Sequence, residues 1–346
     1  GGMGEVRKVR DEILNRNLAM KIVHPSMLSN RKALARFFEE AQIGAQLQHP
    51  NIIPIHEFGE LDDGRLYFTM KEINGVEFSH CIKDVHKASS TEHWHIGEKG
   101  YSFRQLIQSF HKVCETIAYA HSVEVIHRDL KPENIMIGDF GEVLVVDWGI
   151  AKVLNKDEPI LEDTTVQIKR SEENAFQTRM GMVSGTPTYM SPEQAKGRID
   201  LMGTHTDIYS LGAILYEILS GKLPYTGNSA LEILKKVRSS RPPSLLTTDS
   251  RTDPIELPNV EPLVEYTGKI PQPLIEICDK AMEREISSRY QTASELANDI
   301  FHWLEGAQKR DKALKEYTVA LELLKESEDL KTESKQYWNK ANTLTN

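Results

Sequence analysis

His127-Arg128-Asp129-Leu130-Lys131-Pro132-Glu133-Asn134 is the stretch on which the reading of this sequence turns. Six of its eight side chains are polar or ionisable, and an apolar run, Ile135-Met136-Ile137, follows at once. Thirteen residues beyond Asn134 comes Asp147-Trp148-Gly149, placed directly after a second apolar run, Val143 to Val146. The two runs read as a strand pair with polar groups at its ends. Upstream, residues 5–23 alternate about a turn near 11–17 and close on the strand Leu18-Ala19-Met20-Lys21-Ile22-Val23. Residues 30–48 read as a helix, with Ala33, Phe37, Phe38, Ala41 and Ala45 near helical spacing, and His49-Pro50 stops it. Short strands near 52–59 and 66–73 complete a small, strand-rich beginning. Downstream stands Ser191-Pro192-Glu193, and the chain opens on Gly1-Gly2-Met3-Gly4-Glu5-Val6, with Gly4 seventeen residues before Lys21.

In this order the motifs resemble those of protein kinases. The segment 127–134 matches the catalytic-loop pattern at every fixed position, and 147–149 stands where Asp-Phe-Gly belongs, with Trp for Phe. Leu18 to Lys21 resembles the Val-Ala-Ile-Lys strand, and 191–193 resembles Ala-Pro-Glu. The opening glycines fit the second half of Gly-x-Gly-x-x-Gly-x-Val. Met3 between glycines, residues 185–195 and Asp207 to Gly212 are similar to the Hanks-type, eukaryotic-like serine/threonine kinases of bacteria. The resemblance covers roughly residues 1–305.

It implies an α+β, bilobal kinase fold with a small β-rich N-lobe lacking its first strand (1–73), a larger helical C-lobe (74–305), and a helical tail or linker (306–346). It also implies transfer of the γ-phosphate of ATP, with Mg²⁺ or Mn²⁺, to Ser/Thr hydroxyls of proteins. Phosphoryl transfer asks a protein for position and electrostatics rather than covalent chemistry. Asp129 would accept the hydroxyl proton. Asn134 and Asp147 would offer the hard oxygen ligands that magnesium prefers. Lys21 would grip the α/β-phosphates, oriented by Glu40; Glu39 would point about 100° away. Lys131 would contact the γ-phosphate and Thr186 would bond Asp129 and Lys131. Asp207 would brace the catalytic loop, and Glu193 would pair with Arg289. Gly1, Gly2 and Gly4 would let backbone amides approach phosphates closely. Val6, Ala19 and Met136 would sandwich the adenine, with Met70 as gatekeeper and Lys71, Glu72 and Ile73 as hinge.

Regulation is expected in the 147–193 segment. Arg128, beside the catalytic Asp, implies a phosphate-dependent switch, and Thr178 is the first choice for autophosphorylation. One turn after Glu40 lies Gly44, which is expected to make room for Trp148, with His127 on the other face of the indole. Two other classes compete. A pseudokinase scaffold would usually lose Lys21, Asp129 or Asp147, all present here. A small-molecule kinase would generally lack the platform at 185–193.

Composition agrees with a globular, cytosolic protein. The 346 residues carry 42 basic and 51 acidic side chains, a formal charge of −9, which argues against a phosphate-backbone binder and hence a nucleic-acid partner. Cys81, Cys114 and Cys278 are odd in number and unpaired in spacing, as in a reducing compartment. No run of about 18 apolar residues exists, so no membrane span is expected. The start on Gly1 suggests a piece of a longer protein, which leaves membrane attachment open through regions outside it. Protein substrates, and a homodimer for trans-autophosphorylation, are the partners expected.

Three stretches read as insertions. Residues 84–101 hold His86, His93 and His95 and read as a solvated loop rather than a metal site. Residues 152–183 are polar and charged, and 242–273 hold seven of the 15 prolines. Residues 206–220 read as a buried helix with a capping-box spacing from Thr204 to Asp207. In the tail, Leu314, Tyr317, Leu321 and Leu324 keep a/d spacing but run into Glu328 and Lys331; sustained heptads are absent, so no long parallel coiled coil is expected.

Overall fold

Alternating side chains and a tight turn make the first hairpin. Strand β1 (Gly4–Asp11) pairs antiparallel with β2 (Arg16–Val23). The turn closes with Asn15 in the left-handed region (φ 51°) while Asp11 Oδ1 accepts from the Leu14 amide. Strands β3 (Ile55–Glu60) and β4 (Leu66–Lys71) join them in the order β1-β2-β4-β3. Helix α1 (Arg31–Gln46) lays Phe37 and Ala41 against Val23 and Phe68, the core of this half. The computed structural model describes residues 4–90, 93–149, 151–153, 186–245 and 270–344.

The remainder is mostly helical. After β5 (Gly75–Glu77) come α2 (Phe78–Ala88) and α3 (Phe103–Ser122), the latter opened by a Ser102/Gln105 capping box. Strand β6 (Val125–Ile126) pairs with β9 (Lys152–Val153), and between them β7 (Ile135–Gly138) and β8 (Val143–Val145) join β5 in the order β5-β7-β8. Then follow α4 (Pro192–Ala195), α5 (Thr204–Ser220), α6 (Ala230–Ser239), α7 (Gln272–Ala281) and α8 (Ala293–Leu344). Helix α5 is buried from Thr206 to Leu219, so it is apolar on nearly every side. The chain divides into two compact units, Gly1–Phe301 and His302–Asn346.

Two local expectations change. His86 is not in a solvated loop: it sits on α2, and its Nε2 lies 2.8 Å from the Ile218 carbonyl, which it can satisfy only as donor. The cap of α5 is Gly203, whose amide donates to Thr206 Oγ1 at 3.3 Å, rather than Thr204. Asp207 is therefore free of capping, and its carboxylate turns inward.

Candidate active site

The catalytic-loop stretch lies between β6 and β7 and is held from beneath by Asp207. Asp207 Oδ2 accepts from the His127 amide at 2.8 Å and lies 2.9 Å from His121 Nε2; Oδ1 accepts from the Arg128 amide at 2.8 Å. Burial alone would raise its pKa; the His121 hydrogen bond and the nearby histidines and amide outweigh that and hold it below the ordinary aspartate value. Gln194 Nε2 donates to the Arg128 carbonyl at 2.6 Å. Gripped on both sides, Arg128 takes φ 71°, a conformation non-glycine residues rarely adopt.

Asp129 sits at the centre of the polar set. Its Oδ1 accepts from the Thr186 amide at 2.8 Å and from the Thr186 hydroxyl at 3.1 Å. Its Oδ2 faces Lys131 Nζ at 3.1 Å, and the same ammonium donates to Thr186 Oγ1 at 2.9 Å. Asn134 Nδ2 donates to the Asp129 carbonyl at 2.8 Å. The same Nδ2 lies 3.4 Å from Asp129 Oδ2.

The small sheet supplies the rest. Lys21 Nζ meets Glu40 Oε1 at 2.5 Å and lies 3.8 Å from Asp147 Oδ1. Burial pushes the Glu40 pKa up and the Asp147 carboxylate adds to it, against the opposing pull of Lys21, so the net shift is upward. Asp147, like Arg128, has positive φ, 63°. Its carboxylate is 46% exposed and, among the described residues, its one ion-pair contact is the 3.8 Å approach of Lys21, so it keeps oxygen lone pairs for a ligand. Asn134 and Asp147 fit a magnesium ion that takes its other ligands from water and phosphate.

The sheet register puts the remaining candidates in rows. Val6 stands opposite Lys21, and Ala19 opposite Met70. Directly opposed and i, i+2 residues share a face. Val6, Ala19 and Met70 therefore lie on the Lys21 face. Met136 lies on β7 opposite Leu144. Lys71 Nζ reaches Glu142 at 3.9 Å, and Glu72 pairs with Lys8 at 2.7 Å; Ile73 follows in the connection to β5. A Cβ on Gly4 would collide with the Ile22 carbonyl, so strand packing itself requires glycine there. Gly1, Gly2 and Thr178 lie outside the described residues.

Trp148 is buried, and its ring centroid lies 4.6 Å from that of His127. His127 Nε2 faces the Val146 carbonyl at 3.1 Å while its Nδ1 accepts from the Asp129 amide at 3.3 Å, which fixes the Nε2–H tautomer. The expected partnership with Gly44 is not there. A Cβ at Gly44 would meet Ile55 Cδ1 at 2.7 Å and no atom of Trp148 within 4 Å. The nearest atoms are the outer end of the Ile55 side chain on β3, so the space beside this glycine belongs to Ile55.

Away from the centre, Arg289 and Glu193 form a bidentate pair at 2.8 and 2.9 Å. Arg289 spends its other N–H groups on the carbonyls of Glu283, His205 and Arg284. Burial opposes ionisation of Glu193, but the Arg289 hydrogen bonds and charge win and lower its pKa. Reading motifs gave no role to Gln194 or Asn51. The first was visible in Ser-Pro-Glu-Gln; the second follows His49-Pro50, just past the end of α1 at Gln46.

A family profile described as "Protein kinase domain" matches residues 1–302. Among curated proteins, a serine/threonine-protein kinase PknD of Protochlamydia amoebophila is 34% identical over 308 residues, 88% of this chain and 29% of that protein. The protein of the same name in Chlamydia felis is 33% identical over 307 residues, 89% and 30% of the two chains. That of Chlamydia trachomatis serovar L2b is 34% identical over 310 residues, 88% and 31%. The chain thus spans about 30% of the length of the curated relatives it matches.

Proposed function

Because the chain belongs to the protein kinase family, we propose that it transfers the γ-phosphate of ATP to serine and threonine hydroxyls of proteins. The supporting observation is the convergence on Asp129 of Thr186, Lys131 and Asn134, together with the Lys21–Glu40 pair that faces Asp147. In the reaction the substrate oxygen attacks the γ-phosphorus, its proton passes to Asp129, and the bond to the ADP oxygen breaks. Thr186 holds Asp129 Oδ1, so the carboxylate is aimed before substrate arrives. Lys131 offers positive charge to the transferring group. Lys21 orients the α/β-phosphates, held by Glu40. Asn134 and Asp147 would hold Mg²⁺, which would supply positive charge against the phosphates. Val6, Ala19 and Met136 enclose the adenine, Met70 closes the back of its pocket, and Lys71 to Ile73 offer it backbone groups.

Activation follows from Arg128. A phosphate on Thr178 would add a charge of about −1.5 to −2 that an arginine can pin. A second copy acting in trans would be the donor. Three buried, unpaired cysteines suit a reducing, ATP-containing cytoplasm. The test is incubation with ATP, Mg²⁺ and a basic protein, followed by mass spectrometry for phosphoserine and phosphothreonine. Asp129→Asn should be silent. Transfer by that variant at the wild-type rate, or none by the wild type, would overturn the assignment. Phosphosite mapping of Thr178, and autoactivation of Thr178→Ala, test the switch.

A further inference from the structure

Beyond Val319, helix α8 carries a seam of its own. Ala320, Leu323, Ser327, Leu330, Ser334 and Tyr337 follow one another at steps of three and four. That is a heptad register with small residues at a and large ones at d. It is offset from the register through Leu314, Tyr317, Leu321 and Leu324, which charges interrupt. The d residues Leu323, Leu330 and Tyr337 are 60%, 66% and 71% exposed. A shallow, open hollow on this side of the helix is lined by Leu323, Ser327, Leu330 and Ser334 of the seam and by Glu326, Lys331, Lys335 and Trp338 flanking it. Three large, exposed d side chains in line on one helix face suit an interaction surface.

We propose that a second copy of this chain packs on the seam, forming a parallel, in-register, two-stranded coiled coil. One complementary charge pair favours both this occupant and this direction. In a parallel pair each g residue faces the e residue five positions later on the other helix. Glu326 at g then meets Lys331 of the second copy, and the two-fold axis repeats the contact. Val319 meets Leu324 in the same way, apolar against apolar. An antiparallel pair centred on the same seam sets Glu326 against Glu333 and leaves Lys331 facing Leu324. Small side chains at a let the helices approach, so the leucines of both copies interleave. The inference concerns α8 alone and does not rest on the phosphotransfer chemistry.

The full chain tests it by sedimentation velocity and light scattering. A dimer is expected, and Leu323→Glu with Leu330→Glu should weaken it about tenfold or more by charging two d layers. Glu326→Lys should weaken it too, and adding Lys331→Glu should restore it. Direction is read by cross-linking. Leu323→Cys and Leu330→Cys should each form a disulfide with its own counterpart under mild oxidation, since the natural cysteines are buried. All substituted positions are exposed, so circular dichroism should show the fold retained. A chain that stays monomeric at its highest soluble concentration sinks the proposal. So does a dimer indifferent to the d-layer charges, or one in which neither cysteine variant links to itself.

Discussion

Asp129 accepts hydrogen bonds on both carboxylate oxygens before any substrate is near, and each donor restricts its aim. Replacing it by Asn keeps the shape and removes the proposed proton acceptor. Asp129→Asn should therefore lower kcat by roughly 10²–10⁴-fold, the usual contribution of a positioned general base, with an unchanged melting curve. Lys21→Met should do comparable damage to turnover while stranding Glu40, whose carboxyl is already pushed up by burial. Activity that depends on an ionised Glu40 is expected to fail, as pH falls, earlier than an ordinary glutamate would dictate; a kcat/KM profile against pH checks the sign. At Gly44 the outcome is steric. Gly44→Leu drives a side chain into Ile55 and should cost about 1–3 kcal/mol of stability, as overpacking does. Trp148→Phe should not relieve it, because the indole is not the neighbour; recovery in the double variant would restore the coupling that this packing denies.

Among the elements, α5 does the most to shape the site, because one buried acid at its first turn organises a loop eighty residues away in sequence. The catalytic-loop and Asp-Trp-Gly stretches were legible in the sequence because charge chemistry leaves few alternatives at fixed spacing. The capping of α5 was not legible: Thr204 and Thr206 both offer a hydroxyl, and only packing decides which one turns toward Gly203. The Gly44 partner was missed for a similar reason, since one turn along a helix gives a direction but not the strand that crosses it. The α8 seam was present in sequence in a second register, hidden because serines and alanines hold every a position. The Glu193–Arg289 pair belongs to this scale, tying α4 to the chain before α8. Glu193→Gln leaves a buried guanidinium short of its counter-charge and should cost about 3–5 kcal/mol. Its folded-state pKa is depressed, so the pair stabilises above the ordinary value near 4.5 and is lost as pH falls through the lower, folded one. Melting temperatures of wild type and Glu193→Gln should therefore converge in acid and separate toward neutrality.

Taken whole, the first unit draws its chemistry from two halves, and their registration decides whether Lys21 stays 3.8 Å from Asp147. Covalently they are joined by the short connection after β4. A second tie runs through residues 48–52, between α1 and β3. The Val145 amide donates to the Asn51 carbonyl at 2.8 Å, and Asn51 Nδ2 donates to the Val143 carbonyl at 2.6 Å. Ile52 bridges Val145, and the Gln48 amide donates to Tyr119 Oη at 2.8 Å while His49 stacks on that ring. The loop of the small half thus acts as an added strand on β8, the strand that leads directly into Asp147. Asn51→Ala removes the side-chain bond and leaves the Val143 carbonyl without that donor, at a cost of about 1–3 kcal/mol. Stability alone would lower the melting temperature by a few degrees and leave kcat untouched. If registration is what the tie supplies, kcat should also fall, because Lys21 and Asp147 no longer share a fixed frame. Tyr119→Phe breaks the neighbouring bond to a backbone amide without touching β8 and should affect stability more than turnover. A melting shift in Asn51→Ala with kcat equal to wild type would reduce the loop to a structural strap.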